Sequence, residues 1–410
     1  MKYGCIGERL KHSFSKEIHN ALADYEYELC EVERDGLAAF MEKRDFNAIN
    51  VTIPYKEDVI PYMYFVDDGA RRIGAVNTVV NRDGKLYGYN TDFFGMKMLL
   101  SHAKVEIKGK KVIILGTGGT SKTAMAVARD GGASEILRVS RTARGDAISY
   151  LELYSEHNDA DVIINTTPVG TFPNIDDSPI ELDSFKNLSG VIDAVYNPLR
   201  TALVSKAMAL GIPASSGLYM LVAQAVRASE IFLDKSYQDG ILDALYEKIF
   251  KDKENVVLIG MPASGKSTVG KMLADRMERA FVDTDELIRE RTGMEIAEIF
   301  RKYGERYFRE LEAAVVSDIS KKTGLVIATG GGVPLREENV RRLKQNGKLI
   351  FLDRPLSSLM PTEDRPLAQS AEAIEKLYHA RYGVYTAAQD ARVSADLGVE
   401  DVVEAIERIF

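Results

Sequence analysis

Val256-Val257-Leu258-Ile259-Gly260-Met261-Pro262-Ala263-Ser264-Gly265-Lys266-Ser267 decides the fold of the C-terminal part of this chain. Four apolar residues in a row read as a strand buried on both faces, and the run that follows fits the G-x-x-x-x-G-K-[ST] phosphate-binding loop opening a helix. In such a loop backbone N–H groups cradle phosphates, Lys266 neutralises charge on the transferred group, and the Ser267 hydroxyl is a magnesium ligand, with Gly260, Ser264, Gly265 and Thr268 completing the cradle. A second stretch has the same grammar: Val112-Ile113-Ile114-Leu115 runs into Gly116-Thr117-Gly118-Gly119-Thr120-Ser121-Lys122-Thr123-Ala124. Strand, glycine turn and helix in that order predict parallel α/β units in both places.

The chain is 410 residues long, beyond the size at which one core keeps growing, so several domains are expected. Between the two glycine turns, Ile231 to Glu254 reads as a helical stretch ending in the charged run Lys251 to Glu254, and the main boundary is placed there. A polar stretch, Ser101 to Gly109, subdivides the first part into two lobes with a cleft between them. Met1 to Leu10 alternates like a strand and lacks the plan of a secretory signal, which makes the cytoplasm the default location. Cys5 and Cys30 are too few for a disulfide framework and lack zinc-site spacing, so any metal is expected to arrive with a nucleotide. A net charge of −8 argues against a nucleic-acid partner, and no apolar run is long enough to cross a bilayer.

The upstream glycine turn, with Gly116, Gly118 and Gly119 and a small residue at Ala124, fits a dinucleotide fingerprint whose missing Cβ atoms admit a pyrophosphate at a helix start. The next strand, Glu135 to Val139, ends not in the acid that bonds an NAD ribose but in Ser140-Arg141-Thr142-Ala143-Arg144. Two guanidiniums and two hydroxyls suit a 2′-phosphate, so NADP is the expected dinucleotide.

Further motifs carry a family resemblance. Ser13-Phe14-Ser15, Asn50-Val51-Thr52-Ile53-Pro54-Tyr55-Lys56, Ala75-Val76-Asn77-Thr78, Asn90-Thr91-Asp92, Ile164 to Gly170 and Gly217 to Gln224 stand in the order found in shikimate dehydrogenase, which residues 1 to about 250 resemble. The resemblance implies a substrate site of Ser13, Ser15, Thr52, Lys56, Asn77, Asp92 and Gln224, with Gly217 on the cofactor side and Lys56 and Asp92 catalytic. Ketone reduction leaves an alkoxide that needs a proton, so a lysine held by a carboxylate suits the chemistry. Which of the two dominates the proton transfer stays open. One departure is Ser140, where the family commonly has asparagine.

Residues from about 255 to 410 resemble shikimate kinase, through the loop above and four more segments. Phe281-Val282-Asp283-Thr284-Asp285 is similar to the family's D-x-D segment, placing Asp283 near magnesium and Asp285 on the substrate hydroxyls as proton acceptor. Arg309 and Arg381 resemble the arginines that hold the substrate carboxylate. Thr329-Gly330-Gly331-Gly332 resembles the glycine motif beside the substrate, and Asp364-Arg365-Pro366-Leu367 the lid whose arginine closes over the phosphates. The lid departs from the family: the stretch from Leu352 to Arg365 is a few residues short, and Pro361 stands where an arginine near the adenine is usual.

The implied architecture is a two-lobed dehydrogenase with a Rossmann-type NADP domain, followed by a P-loop kinase domain with a parallel sheet. Its expected parts are a substrate lobe at 1–103 completed by a helical return near 218–250, an NADP lobe at 104–235, a helix and linker at 236–254, and a kinase domain at 255–410. The expected chemistry is NADPH-dependent reduction of 3-dehydroshikimate and phosphorylation of shikimate by ATP with magnesium. Two alternatives stay open: a quinate-type dehydrogenase, and a C-terminal half that binds nucleotide for regulation without turnover.

Overall fold

Apolar runs become the strands of three sheets in the computed structural model, which describes residues 1–10, 14–142, 145–360 and 370–410. The chain divides into two units, Met1–Ile249 and Phe250–Phe410. Among the described residues no helix is long and apolar enough to cross a membrane.

The first unit holds two six-stranded sheets. In the first, the order is Tyr27–Glu31, Tyr3–Gly7, Ala48–Val51, Thr78–Arg82, Lys85–Tyr89 and Phe65–Val66, parallel across the first three strands and antiparallel at the two junctions that follow. Tyr3–Gly7 does not alternate as its sequence suggested: Gly4 to Gly7 are not split between a wet and a dry face, because this strand is flanked by parallel neighbours and Gly4 to Ile6 are all buried. The second sheet is wholly parallel, in the order Ala214–Ser215, Gly190–Asp193, Val162–Asn165, Lys111–Leu115, Glu135–Val139, Ala147–Ile148. Connections leave the central strand Lys111–Leu115 in opposite directions, and its carboxyl end, at Gly116, is therefore the switch point where a doubly wound sheet opens a crevice.

Two helices carry side chains toward that crevice. Asp92–His102 and Leu218–Leu233 pack so closely that a Cβ on Gly95 would come within 2.8 Å of the Met220 carbonyl oxygen. The stretch from Ile231 to Glu254 is not one helical run. Helix Leu218–Leu233 stops at Asp234, whose φ of 50° is left-handed, and helix Ile241–Lys253 follows. The boundary between the units falls inside this second helix, ahead of the charged run. Its last carbonyls are engaged downstream: Lys251 and Glu254 accept from Arg279, and Lys253 accepts from the Gly324 amide.

The second unit is built on a five-stranded parallel sheet ordered Ala280–Asp283, Leu325–Ala328, Asn255–Ile259, Gly347–Asp353, Ala391–Ser394. Alternate residues of Asn255–Ile259 feed opposite cores: Val257 and Ile259 join Phe308, Val316 and Phe351, while Val256 and Leu258 join Leu273, Val402 and Ile406. Both faces are thus covered by helices, as a parallel sheet requires. The long helix Ile296–Ile319 is broken at Gly304, where φ is 82°.

Candidate active sites

In the first unit, strand Ala48–Val51 delivers Thr52 and Lys56 to the crevice, and Asp92 opens its helix opposite them. The Lys56 ammonium donates to Asp92 Oδ2 at 2.7 Å, with side chains only 16% and 10% exposed. The turn before Asp92 is pinned from below. Asn77 accepts from the Thr91 amide at 2.7 Å and donates to Thr91 Oγ1 at 3.1 Å, while Asn50 donates to the Asn77 carbonyl at 3.3 Å and accepts from the Tyr27 hydroxyl at 2.7 Å. Gln224 donates to the Leu221 carbonyl at 2.9 Å one turn back in its helix. One cavity is lined by Ser15, Asn50, Thr52, Lys56, Asn77, Asp92, Tyr196, Gly217 and Gln224. Apolar side chains such as Val51, Ile53, Met220 and Leu221 share the lining, and among the described residues Lys56 and Asp92 are its one cation and one anion.

The glycine turn opens onto the same cavity through Thr120. Gly116 has a φ of +106°, and a Cβ there would meet Thr166 Oγ1 at 2.9 Å, so this glycine is demanded by the protein itself. At Gly118 and Gly119 a Cβ would meet nothing within 4 Å. Protein packing does not need those two glycines. Their open face, at the start of helix Gly119–Asp130, fits a pyrophosphate drawn onto free backbone N–H groups. Past the end of strand Glu135–Val139 a separate depression is lined by Thr117, Arg138, Ser140, Arg141, Thr142 and Gly145. Arg138 is held by Asp146, whereas the Arg141 side chain is exposed.

Behind the crevice lies Asp193, fully buried at the end of strand Gly190–Asp193. It accepts from Asn165 Nδ2 at 2.9 Å, the Val195 amide at 3.0 Å and Thr201 Oγ1 at 2.8 Å. Burial pushes its carboxyl up to about 7 against the pull of those three donors. The residue after it, Ala194, abuts Gly217, where a Cβ would come within 2.2 Å of the Ala194 carbonyl oxygen.

In the second unit the phosphate loop bends through Gly260 (φ 148°), Ala263 (φ 62°) and Gly265 (φ 92°) before helix Lys266–Arg276. Lys266 Nζ is buried over the loop, donating to the carbonyls of Gly260 at 3.0 Å and Met261 at 2.8 Å. Ser267 Oγ donates to Asp283 Oδ2 at 2.6 Å, which sets a hydroxyl and a carboxylate side by side as hard oxygen donors suited to magnesium. Asp283 also caps helix Thr284–Thr292, accepting from the Asp285 amide at 2.9 Å. The cap fixes Asp285 at the cavity edge.

Arg309 forks onto Glu312, at 2.9 and 3.2 Å, and onto Glu305 at 3.0 Å. Burial pushes the Glu312 carboxyl up to about 7; Arg309 and Arg381 oppose that, and Asp285 adds to it. The glycines leave room for this cluster. A Cβ on Gly330 would lie 2.5 Å from Asp285 Oδ1 and 3.1 Å from Glu312 Oε1, and one on Gly332 would collide with Arg309. Arg381 Nη1 and the Tyr385 hydroxyl both donate to the Gly331 carbonyl, at 3.3 and 2.6 Å. Loop, acids, glycines and arginines line one cavity of about 490 Å³.

Comparison with known proteins assigns both units. A family model for the shikimate dehydrogenase substrate binding domain matches residues 5–79, and one for shikimate kinase matches residues 262–409. Shikimate dehydrogenase (NADP(+)) from Clostridium beijerinckii is 37% identical over 266 residues, which cover 61% of this chain and 98% of that protein. The chain belongs to the shikimate dehydrogenase family, with a shikimate kinase domain behind it. The crystal structure of shikimate dehydrogenase 1 from Peptoclostridium difficile has 35% identity and a TM-score of 0.57, over 61% of this chain and 98% of that one. The Thermus thermophilus shikimate 5-dehydrogenase, solved in complex with NADP(H) and shikimate, has 26% identity and a TM-score of 0.54, over 60% of this chain and 99% of that one. The chain is thus an oxidoreductase and kinase of the shikimate pathway whose dehydrogenase takes NADP(H) and whose kinase takes ATP with magnesium.

The shikimate dehydrogenase site gathers Ser15, Thr52, Lys56, Asn77, Asp92 and Gln224 in one place. Gly217, expected on the cofactor side, lines this same cavity together with Thr120 of the glycine turn. In the shikimate kinase domain the cavity gathers Gly265 to Thr268, Asp283, Asp285, Arg309, Gly330 to Gly332 and Arg381, while Gly260 and Ser264 lie packed under the loop. Ser13, Arg144 and the lid with Pro361 and Arg365 lie outside the described residues. Sequence reasoning missed Tyr196, Arg138, Glu312 and Arg354, all of which line one of these cavities. Two were within reach: Arg138 precedes Ser140 by the two-residue strand period, and Glu312 follows Arg309 by three on one helix.

Proposed function

We propose that the first unit reduces 3-dehydroshikimate to shikimate and that the second phosphorylates the 3-hydroxyl of shikimate. The observation that carries this reading is the Lys56–Asp92 ion pair at 2.7 Å inside a cavity that Ser15, Asn50, Thr52, Asn77 and Gln224 share with apolar side chains. NADPH supplies the hydride when bound. As the ketone oxygen gains charge, Lys56 gives it a proton, and Asp92 holds the ammonium in place and balances it. Ser15, Thr52, Asn77 and Gln224 offer donors for the carboxylate and ring hydroxyls, so that the carbonyl faces Lys56.

In the second unit Arg309 and Arg381 take the substrate carboxylate and Asp285 accepts the proton of the attacking hydroxyl. Lys266 would neutralise charge on the transferring phosphoryl group, and Ser267 and Asp283 would hold the magnesium that helps to do so. Mass spectrometry of the products from 3-dehydroshikimate, NADPH, ATP and magnesium tests the reading. Shikimate 3-phosphate supports both halves, accumulation of shikimate alone removes the second, and unconsumed starting material removes the first.

A further inference from the structure

Arg354 belongs to none of the motifs read from the sequence, yet its side chain lines the kinase cavity with Lys266, Ser267 and Arg381. Its place follows from the sheet. Strand Gly347–Asp353 pairs with Asn255–Ile259, and the first glycine of the phosphate loop rests on it: a Cβ at Gly260 would come within 2.7 Å of the Leu352 carbonyl oxygen. A side chain two residues beyond Leu352 therefore leaves the sheet beside the loop.

The guanidinium is underused where it stands. Nη1 donates to the Ala263 carbonyl at 3.4 Å, a long bond, and Nε is buried with no partner. The adjacent carboxylate, Asp353, is taken by Arg392 and the Tyr382 hydroxyl. Among the described residues no acid pairs with Arg354. A guanidinium has five donors in a fixed fork, and leaving them without an anion beside a phosphate loop wastes most of them.

We propose that Arg354 is a nucleotide-binding residue of the kinase, its fork closing on the β- or γ-phosphate of the nucleoside triphosphate from the side of the loop opposite Asp283. It supplies a positive charge from the end of a core strand beside the phosphate loop. The proposal rests on the kinase reading given above.

The test compares the full chain with Arg354→Ala and Arg354→Lys, measuring KM for ATP and for shikimate, and binding of ATP–magnesium and of AMP by calorimetry. Loss of charge-assisted bonds to phosphate predicts about a tenfold or larger rise in KM for ATP in the alanine variant, little change for shikimate or AMP, and partial recovery with lysine. An ATP KM within about twofold of the parent overturns the proposal, because a phosphate fork is worth more than that. So does an equal rise for ATP, AMP and shikimate with a lowered unfolding midpoint, which marks Arg354 as a brace for the loop. If the parent chain itself makes no shikimate 3-phosphate, the kinase reading fails first, and ATP–magnesium binding by parent and variant still decides the role of Arg354.

Discussion

Lys56 and Asp92 come from segments that share neither strand nor helix, yet their charged atoms meet at 2.7 Å with both side chains largely buried. A pair so enclosed persists only where each charge answers the other, and among the described residues the cavity around it is otherwise neutral. Lys56→Ala should lower kcat for the reductase reaction by about 10²- to 10⁴-fold, the usual worth of a general acid, with KM for NADPH nearly unchanged. Asp92→Asn should fall in the same direction, because the lysine loses its holder. Steady-state kinetics decide the matter: a kcat for Lys56→Ala within a fewfold of the parent removes Lys56 from the chemistry.

Arg138, Ser140, Arg141 and Thr142 line the depression that the sequence reading assigns to the 2′-phosphate of NADP. Arg138 is already engaged by Asp146, so among the described residues of the depression Arg141 is the guanidinium left to meet a 2′-phosphate. Arg141→Ala should raise KM for NADPH by about tenfold or more while leaving the weaker use of NADH unaltered. The ratio of the two specificity constants is the readout, and an unchanged ratio assigns the discrimination elsewhere.

Much of this was legible in the chain. Apolar tetrads such as Val112 to Leu115 and Val256 to Ile259 announce strands buried on both faces, and glycine turns behind them mark the carboxyl ends where ligands sit. Side chains reached through sheet order were not legible. Arg354 lies almost a hundred residues from the loop it touches, and only the pairing of Gly347–Asp353 with Asn255–Ile259 joins them. Tyr196 has no local motif either; it reaches the cavity because strand Gly190–Asp193 ends there. The contact that demands Gly217 was not legible either: a Cβ there would meet Ala194, which comes from that same strand end. The break after Asp234 was legible but passed over: Asp239-Gly240 is a turn signal, and the next helix starts directly behind it at Ile241.

Glu312 links the kinase cavity to pH. It holds Arg309 through a forked pair, and burial sets its carboxyl near 7, so the charged anchor is present above that pH and lost as pH falls through it. Arg309, Arg381 and Asp285 are the charged groups facing it. KM for shikimate should therefore rise as pH drops from about 8 to about 6. Glu312→Gln should show the high KM, up by roughly tenfold, at both ends of that range. A variant that keeps the parent's slope shows that another group titrates.

Asp193 makes the corresponding prediction for stability. Its carboxyl sits near 7 in the folded chain against 3.8 when free, so the folded state holds the proton more tightly between those values. Where the folded state binds more protons, stability falls as pH rises, at up to about 1.4 kcal/mol per pH unit for one group. An amide in place of the Asp193 carboxyl imitates the protonated acid: its oxygen still accepts from Asn165 and the Val195 amide, and its NH₂ group faces Thr201 Oγ1 where the acid hydroxyl would stand. Asp193→Asn should thus raise the unfolding midpoint of the dehydrogenase unit at about pH 8, with the gain shrinking toward about pH 5. A midpoint lowered equally at both values would mean that the three donors hold Asp193 charged throughout, and that its ionised carboxylate stabilises the strand end behind Ala194 and Gly217.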